Sequence, residues 1–342
     1  MIRSIAIVSL SSGVIGEDFV KHEVDIGLER LRAKVLQVRF MPHALKGLQY
    51  IKDHPEARAQ DLLVALADPA IDLILCAIGG DDTYRLAPHL FDGGELEKAA
   101  RQKVFLGFSD TTIDHFMLHR VGMKTIYGQS FLADVCEIGP GMYPYSQRYF
   151  DELTRTGTIR EITPADTWYE ERKSFSPSEV GTRPSEHRDR GFELLQGPPR
   201  FSGKILGGCI DSMLDMFDGE TYPDMPVICR KYGLFPPKED WEGRILLTET
   251  SEVKMPPDKY RRALEYLKDA GVFAAVSGVL VGKPMDRVYE NEYKEALRDV
   301  IADPTLPILC NINIGHAQPR CVIPLDVTAH VDAEKQVIRF ED

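Results

Sequence analysis

The apolar run "IDLILCAIGG", at residues 71–80, constrains the fold of this chain more than any other segment. An unbroken apolar run that ends in two glycines is typical of a strand buried on both faces. Similar runs, "SIAIVSL" and "VFLGFSD", are separated from it by segments with apolar residues at helical spacing. Strands that alternate with helices predict an α/β fold, with a doubly wound, flavodoxin-like parallel sheet in the N-terminal part.

The alternation breaks down between about residues 164 and 200, where charged residues, proline, serine and glycine predominate. Such a stretch is typical of a linker or an exposed excursion. We therefore expect an N-terminal domain over residues 1–160, a linker over 161–200 and a C-terminal domain over 201–342. We expect the C-terminal domain to be a smaller α/β unit with a swivelling or barrel-like sheet, closed by a hairpin.

Charge and cysteine content exclude several classes of function. The 342 residues carry a net charge of −12, which argues against a nucleic-acid polymer or an anionic membrane as a partner. The N-terminus lacks the features of a signal peptide, and no apolar stretch approaches a membrane span. The six cysteines show no C-x-x-C spacing and lie mostly in apolar runs, so we expect buried free thiols and a cytoplasmic location.

Ser109 lies where a buried strand gives way to a helix, in "VFLGFSDTTIDHF". A hydroxyl there stands above the sheet edge, close to a helix N-terminus that favours negative charge, which suits a nucleophile. The alternative is that Ser109 or Asp110 caps the helix. The G-x-S-x-G motif of hydrolases fails here because Thr111 replaces its second glycine.

The glycines of "AIGGDD" follow the strand at residues 71–78 and allow the backbone to approach an anion. Taken alone, they predict only a tight turn with Asp81 or Asp82 as a helix cap. Together with Ser109, they suggest an oxyanion hole made by the N–H groups of Gly80 and Asp110.

A serine nucleophile needs a base and an acid that orients it. His316 follows an apolar strand and a glycine, and Glu249 ends the apolar run of "ILLTETSE". Each has an ordinary alternative, as a loop histidine and as a capping carboxylate. The chain order serine, glutamate, histidine is one that serine hydrolases use. His115 and His119 are four apart on a helix, as in metal sites, but no glutamate follows His115 as in H-E-x-x-H, so two residues on one helix face are the favoured interpretation.

These segments together resemble one family of serine peptidases, which includes the LD-carboxypeptidases of peptidoglycan recycling and the microcin C immunity proteins. The likeness spans nearly the whole chain in order, through "IAIVSLSSG", "AIGGDDTYRLAPHL", "FLGFSDTT", "GKILGGCIDSML", "LLTETSE" and "NINIGH". The resemblance implies Ser109 as nucleophile, His316 as general base and Glu249 as the residue that orients it. It also implies two domains with the site in the cleft between them, a homodimer, and no metal or organic cofactor.

Further residues are expected to contact a small-molecule or peptide substrate. They are Gly79 and Asp81, Cys209, where the family often has asparagine, and Trp168, where the immunity proteins carry an aromatic residue that stacks on a nucleotide base. For Trp168 an ordinary, partly buried structural role is the favoured alternative.

The resulting hypothesis is a serine peptidase that hydrolyses an amide-type bond. Its substrate is expected to be a peptidyl- or aminoacyl-nucleotide of the microcin C type, or alternatively a muropeptide with a terminal D-amino acid. A less favoured alternative is a non-catalytic anion-binding module, which has no need of the Ser109, Glu249 and His316 set.

Overall fold

A computed structural model describes residues 1–34 and 37–341. In chain order the described strands are β1 (Ser4–Val8), β2 (Gln37–Phe40), β3 (Leu73–Cys76), β4 (Val104–Gly107), β5 (Ile126–Tyr127), β6 (Glu161–Ile162), β7 (Thr167–Tyr169), β8 (Glu186–Arg188), β9 (Glu193–Gln196), β10 (Arg200–Cys209), β11 (Ile245–Glu249), β12 (Gly278–Gly282), β13 (Ile308–Ile312), β14 (Ile323–Pro324), β15 (Thr328–Asp332) and β16 (Val337–Phe340).

The α-helices of the same residues are α1 (Lys21–Lys34), α2 (Leu48–Asp53), α3 (Pro55–Ala67), α4 (Ala87–Phe91), α5 (Glu95–Ala99), α6 (Thr112–Arg120), α7 (Pro144–Thr156), α8 (Ile210–Asp218), α9 (Met225–Tyr232), α10 (Pro257–Asp269), α11 (Val272–Ala275) and α12 (Glu290–Ile301). Across the described ranges, no helix combines the length and apolar character needed to cross a membrane.

The first sheet has the strand order β14-β5-β4-β3-β1-β2, and β1 to β5 are parallel. The order β2-β1-β3-β4-β5 is that of a flavodoxin-like doubly wound sheet, so the N-terminal fold prediction is confirmed. Its edge strand β14 comes from the C-terminal part and runs antiparallel to β5. In such sheets ligands bind beyond the carboxyl ends of the strands, near the switch point between β1 and β3.

The second sheet has the order β6-β16-β15-β10-β11-β12-β13-β9. Its centre, β10 to β13, is parallel, and both flanks are antiparallel. The predicted C-terminal α/β unit and its closing hairpin, β15–β16, are confirmed. The barrel-like form is wrong, because β6 and β9 end the sheet without pairing to each other in the part of the chain that the structure describes.

The segment 161–200 differs from the linker that its composition suggests. Its first and last strands, β6 and β9, are the two edges of the second sheet, while β7 and β8 pair as a separate antiparallel ribbon. Lys283 and Asp189 form a buried ion pair that ties the segment to β12, and the Asn311 Nδ2 donates to Asp189 Oδ1 at 2.9 Å. The domain boundaries at 160 and 200 stay a prediction.

The core explains why the runs of the sequence are continuously apolar. Along β3, Leu73 and Leu75 pack into one hydrophobic cluster and Ile74 and Cys76 into another, on opposite faces of the sheet. Each cluster also contains residues of the second sheet, so the two sheets share their packing. All six cysteines are buried and free.

Candidate functional site

Ser109 stands on a strained turn at the end of β4. Phe108 is fully extended, and Ser109 then adopts φ = 66° before the short 3₁₀ turn Ser109–Thr111 leads into α6. A positive φ is uncommon for a residue other than glycine and costs about 1–3 kcal/mol, so surrounding structure must hold it there.

The Ser109 hydroxyl faces His316. Its Oγ lies 3.0 Å from His316 Nε2. No side-chain cap is formed at the start of the 3₁₀ turn or of α6, so the capping alternative for Ser109 is not what this structure contains.

Asp110 does not cap its helix either, contrary to the alternative raised from the sequence. Its Oδ2 accepts hydrogen bonds from the Thr83 N–H at 2.9 Å and from the Ser11 hydroxyl. Burial raises the pKa of Asp110 to about 7, although both hydrogen bonds lower it. The carboxyl therefore joins the loops that follow β1 and β3 to the turn at Ser109.

Glu249 and His316 come together from two strand ends of the second sheet. His316 Nδ1 lies 2.8 Å from Glu249 Oε2, and both side chains are buried. Gly315 makes this possible, because it has φ = 92° and a Cβ there would overlap the Glu249 carboxylate. The structure thus brings Ser109, His316 and Glu249 into one hydrogen-bonded row across the two sheets.

Tyr127 is a member of this site that the sequence reasoning missed. Its hydroxyl donates to Glu249 Oε1 at 2.6 Å and accepts from the Ser109 N–H at 3.1 Å. It ends β5 beside β4, so it too is a polar group at the carboxyl end of a parallel strand. Its position at a strand end could have identified it, but an aromatic side chain in an apolar run is also typical of the hydrophobic core.

The surroundings of His316 favour its protonated form overall. Burial lowers the pKa of His316, and the Arg320 charge lowers it slightly, but the charge and hydrogen bond of Glu249 and the charge of Glu252 together raise it by more. Glu252 Oε2 lies 3.2 Å from His316 Nε2, on the side that Ser109 also faces. The pKa of His316 therefore lies above its ordinary value.

A cavity of about 490 Å³ opens beside the Ser109 hydroxyl. Gly79 and Gly80 line it together with Ser109, Phe108 and His316. A Cβ at Gly79 would lie 2.6 Å from Ser109 Cβ, and one at Gly80 would overlap the Ser11 side chain. Only glycines allow the backbone after β3 to pass this close to the serine.

Two expected substrate contacts lie elsewhere. Asp81 is exposed and accepts a hydrogen bond from the Tyr222 hydroxyl at 3.1 Å, outside the cavity lining. Trp168 stacks on His187 of the paired strand β8, with ring centroids 4.5 Å apart. Its neighbour Tyr169 lines the cavity instead, because successive strand residues point to opposite faces.

Cys209 is buried next to the row of three. One ligand atom from each of Cys209, Glu249 and His316 lies within 4.8 Å of the others, a grouping that could hold a metal ion. The nitrogens of His316 already face Ser109 and Glu249, however, and burial raises the pKa of the Cys209 thiol well above its usual value. These partners fit a hydrogen-bonded row better than a set of free metal ligands.

His115 and His119 do not form a metal site in the described residues either. His115 contacts Thr125 and Gly107, while His119 contacts Asp326. Burial lowers the pKa of His115 to about 4, so this ring is neutral. The helix-face interpretation is the one that fits.

Two family models match the chain. The LD-carboxypeptidase N-terminal domain matches residues 5–128, and the LD-carboxypeptidase C-terminal domain matches residues 202–331.

Curated relatives cover most of the chain at low identity. The microcin C7 self-immunity protein MccF of Escherichia coli is 24% identical over 83% of this chain and 78% of its own length. A probable murein peptide carboxypeptidase of Bacillus subtilis is 25% identical over 92% of this chain and 86% of its own.

Solved structures share the fold throughout. An MccF-like protein from Streptococcus pneumoniae, in complex with AMP, is 58% identical with a TM-score of 0.98, over 100% of this chain and 99% of that one. MccF in complex with glutamyl sulfamoyl guanosine has a TM-score of 0.77 at 20% identity, over 99% and 96% of the two chains.

Proposed function

The chain belongs to the LD-carboxypeptidase family of peptidases, and we propose that it hydrolyses an amide-type bond with Ser109 as nucleophile, His316 as general base and Glu249 as the orienting acid. The observation that carries the proposal is the hydrogen-bonded row of these three side chains, with the Oγ–Nε2 distance of 3.0 Å and the Nδ1–Oε2 distance of 2.8 Å. Nucleophile, base and orienting group within such reach are the signature of covalent catalysis by serine.

The first chemical step is acylation. His316 Nε2 accepts the hydroxyl proton of Ser109 as Oγ attacks the substrate carbonyl carbon, and the carbonyl oxygen takes up the electron pair. Glu249 holds Nδ1–H, which keeps Nε2 free to act as base and stabilises the imidazolium that forms. The imidazolium then donates its proton to the leaving nitrogen as the C–N bond breaks.

The negative oxygen of the tetrahedral intermediate needs donors that stand ready before the reaction. We propose the backbone N–H groups of Gly80 and Asp110, since the Gly79–Gly80 backbone passes beside the serine. The loss of one such donor costs about 3–4 kcal/mol of barrier. In the second half, His316 activates a water molecule that releases the acyl group and restores Ser109.

For the substrate we favour an aminoacyl- or peptidyl-nucleotide. The similar Streptococcus pneumoniae protein is in complex with AMP. The cavity here is lined by aromatic rings that suit a nucleobase, among them Phe108, Tyr143, Tyr169 and Phe175. Tyr143 and Tyr169 already pack against each other with ring centroids 4.6 Å apart. Tyr169 rather than Trp168 is thus our candidate for base stacking.

A muropeptide with a terminal D-amino acid is the second candidate. It is favoured by the match to both LD-carboxypeptidase domain models and by the Bacillus subtilis relative.

A turnover panel separates the two substrates. We expect purified protein to release the amino acid from aminoacyl sulfamoyl-adenosines and to act much more slowly on muropeptide tetrapeptides, as followed by chromatography of the products. Turnover of muropeptides alone would reverse the choice of substrate. Turnover of neither, by folded protein, would contradict the proposed function.

The replacement Tyr127→Phe should lower kcat by about tenfold to a hundredfold, because a hydrogen bond to a charged group is worth about 1.5–3 kcal/mol. Tyr127 positions Glu249 and the backbone of Ser109 and does not border the cavity in the described lining. KM should therefore change little. Steady-state kinetics at several substrate concentrations measure both constants, and an unchanged kcat in a folded variant would refute this positioning role.

The pH dependence of kcat should show an acidic limb above the ordinary pKa of histidine. His316 acts as base only when neutral, and its pKa is raised, so activity falls as pH decreases through that raised value. Glu252→Gln removes one carboxylate that raises the pKa and should move the limb to lower pH. Glu334→Gln, at an exposed ion pair, serves as the charge-matched control. A limb that moves upward or stays fixed in Glu252→Gln would be inconsistent with His316 as the base.

We further propose that the protein acts as a homodimer in the cytoplasm. The family resemblance supports the dimer, and six buried free cysteines support a reducing compartment.

A further inference from the structure

Arg320 lines the cavity four residues beyond His316 and is almost fully buried, at 4% exposure. Its guanidinium lies over the Phe108 ring, 4.5 Å from the ring centroid. The same ring lies 4.9 Å from the ring of His316. Arg320 and the proposed base therefore pack against the same aromatic side chain.

The donors of this guanidinium are not satisfied by the protein. Asp134 Oδ1 lies 3.1 Å from Arg320 Nε, which is ion-pair distance. The geometry of this contact is nevertheless not that of a hydrogen bond. Among the described residues, no hydrogen-bond partner is found for Nε and Nη1 of Arg320 or for Oδ1 of Asp134. A guanidinium has five N–H donors, and each one left buried without an acceptor costs free energy.

The other arginine of the cavity lining, Arg172, has one buried nitrogen without a partner, Nε, but its remaining donors are better satisfied than those of Arg320. Arg172 Nη2 donates to Glu137 Oε1 at 2.5 Å and to the Thr182 carbonyl at 2.8 Å. Glu171 accepts from Lys254 at 2.9 Å.

Two further carboxylates of the lining also have partners. Glu170 lies 2.9 Å from His187, and Glu252 lies 3.2 Å from His316. These acids repel an anion that enters the cavity, and among the described lining residues Arg320 is the cation with the most nitrogens that lack a partner.

We propose that Arg320 binds an anionic oxygen group of the substrate, either a carboxylate or a phosphate. The inference rests on the proposed function only in that the cavity holds the substrate. A carboxylate corresponds to the free terminus of a peptide, and a phosphate to the nucleotide part of an aminoacyl-nucleotide. Each group presents two oxygens that can accept parallel hydrogen bonds from one guanidinium.

Matched ligand pairs measured by calorimetry test this site without any turnover. The first pair is AMP and adenosine, which differ in the phosphate. The second pair is a muropeptide tetrapeptide with a free and with an amidated C-terminus, bound to the Ser109→Ala variant. We expect the anionic member of one pair to bind about tenfold or more tightly, as a charge-assisted hydrogen bond predicts. The pair that shows the difference identifies phosphate or carboxylate.

Arg320→Gln should abolish that preference and leave the neutral member's affinity unchanged, while Arg320→Lys should keep part of it. Arg339→Gln, on an exposed strand position, is the control. A preference that survives in Arg320→Gln, equal weakening of both members, or no preference in the folded parent would overturn the proposal. If Arg320→Gln does not fold, Arg320→Lys replaces it in the test. The proposal is then overturned if Arg320→Lys keeps the full preference for the anionic ligand and added salt does not reduce that preference. Because binding is measured, a protein that binds through Arg320 but hydrolyses nothing would refute the proposed function and not this site.

Discussion

Ser109→Ala should reduce kcat by roughly 10⁴–10⁶-fold, because loss of the nucleophile removes the covalent route and leaves only binding and the oxyanion donors. The substitution deletes one oxygen whose hydrogen-bond partner is His316. Ligand affinity and the thermal unfolding midpoint should therefore change little. Progress curves with high enzyme concentration measure the residual rate.

Ser202→Ala is the matched control for this experiment. Ser202 lies at the exposed start of β10, whereas the site is near the other end of that strand. Its replacement should leave kcat unaltered. Hydrolysis by Ser109→Ala at a rate near that of the parent would remove Ser109 from the mechanism.

His316→Ala should lower kcat by a similar factor, roughly 10⁴–10⁶-fold, since nucleophile and base act as one unit and their losses do not add. The double variant with Ser109→Ala should accordingly be no slower than either single variant. Added imidazole can enter the space that the missing ring leaves, and should restore part of the activity of His316→Ala alone.

His330→Ala is the control for the histidine. His330 is exposed on β15, where its ring contacts Glu341. Full additivity of the Ser109 and His316 effects in the double variant would contradict a shared proton-transfer step.

Much of the fold could be predicted from the sequence, because a strand that is buried on both faces has a continuously apolar sequence. The continuous apolar runs at β1, β3 and β4 predict parallel strands, and their alternation with helices predicts the doubly wound sheet. The strands of the segment 161–200 could not be predicted from apolar runs. Its strands β6 to β9 have only two to four residues, and all but β7 carry charged side chains, so neither length nor periodicity distinguishes them from a linker.

The sequence predicts those site residues that lie at the ends of strands. It does not predict contacts between side chains that are far apart in the sequence. Ser109, Glu249 and His316 each lie at or just after a strand end. Parallel strands of one sheet bring Glu249 and His316 together, whereas Ser109 follows a strand of the other sheet and meets them through the packing of the two sheets. The Asp110 carboxylate instead turns to Thr83 and Ser11, which the local sequence cannot reveal.

Which face of a strand meets the substrate was also hidden. Trp168 and Tyr169 are adjacent and equally aromatic, and only the pairing of β7 with β8 decides that Trp168 packs on His187. Arg320 carried no periodic pattern at all, and its interest lies in unsatisfied donors that only three-dimensional packing shows.

The central claim is that an acyl group passes through Ser109. Acid-quenched turnover, followed by proteolysis and mass spectrometry, tests it most directly. The account predicts a transient mass increase, equal to the acyl part of the substrate, on the peptide that contains Ser109. The adduct should be absent in Ser109→Ala. An acyl adduct on another residue during turnover, and above all on Cys209 beside His316, would contradict the account.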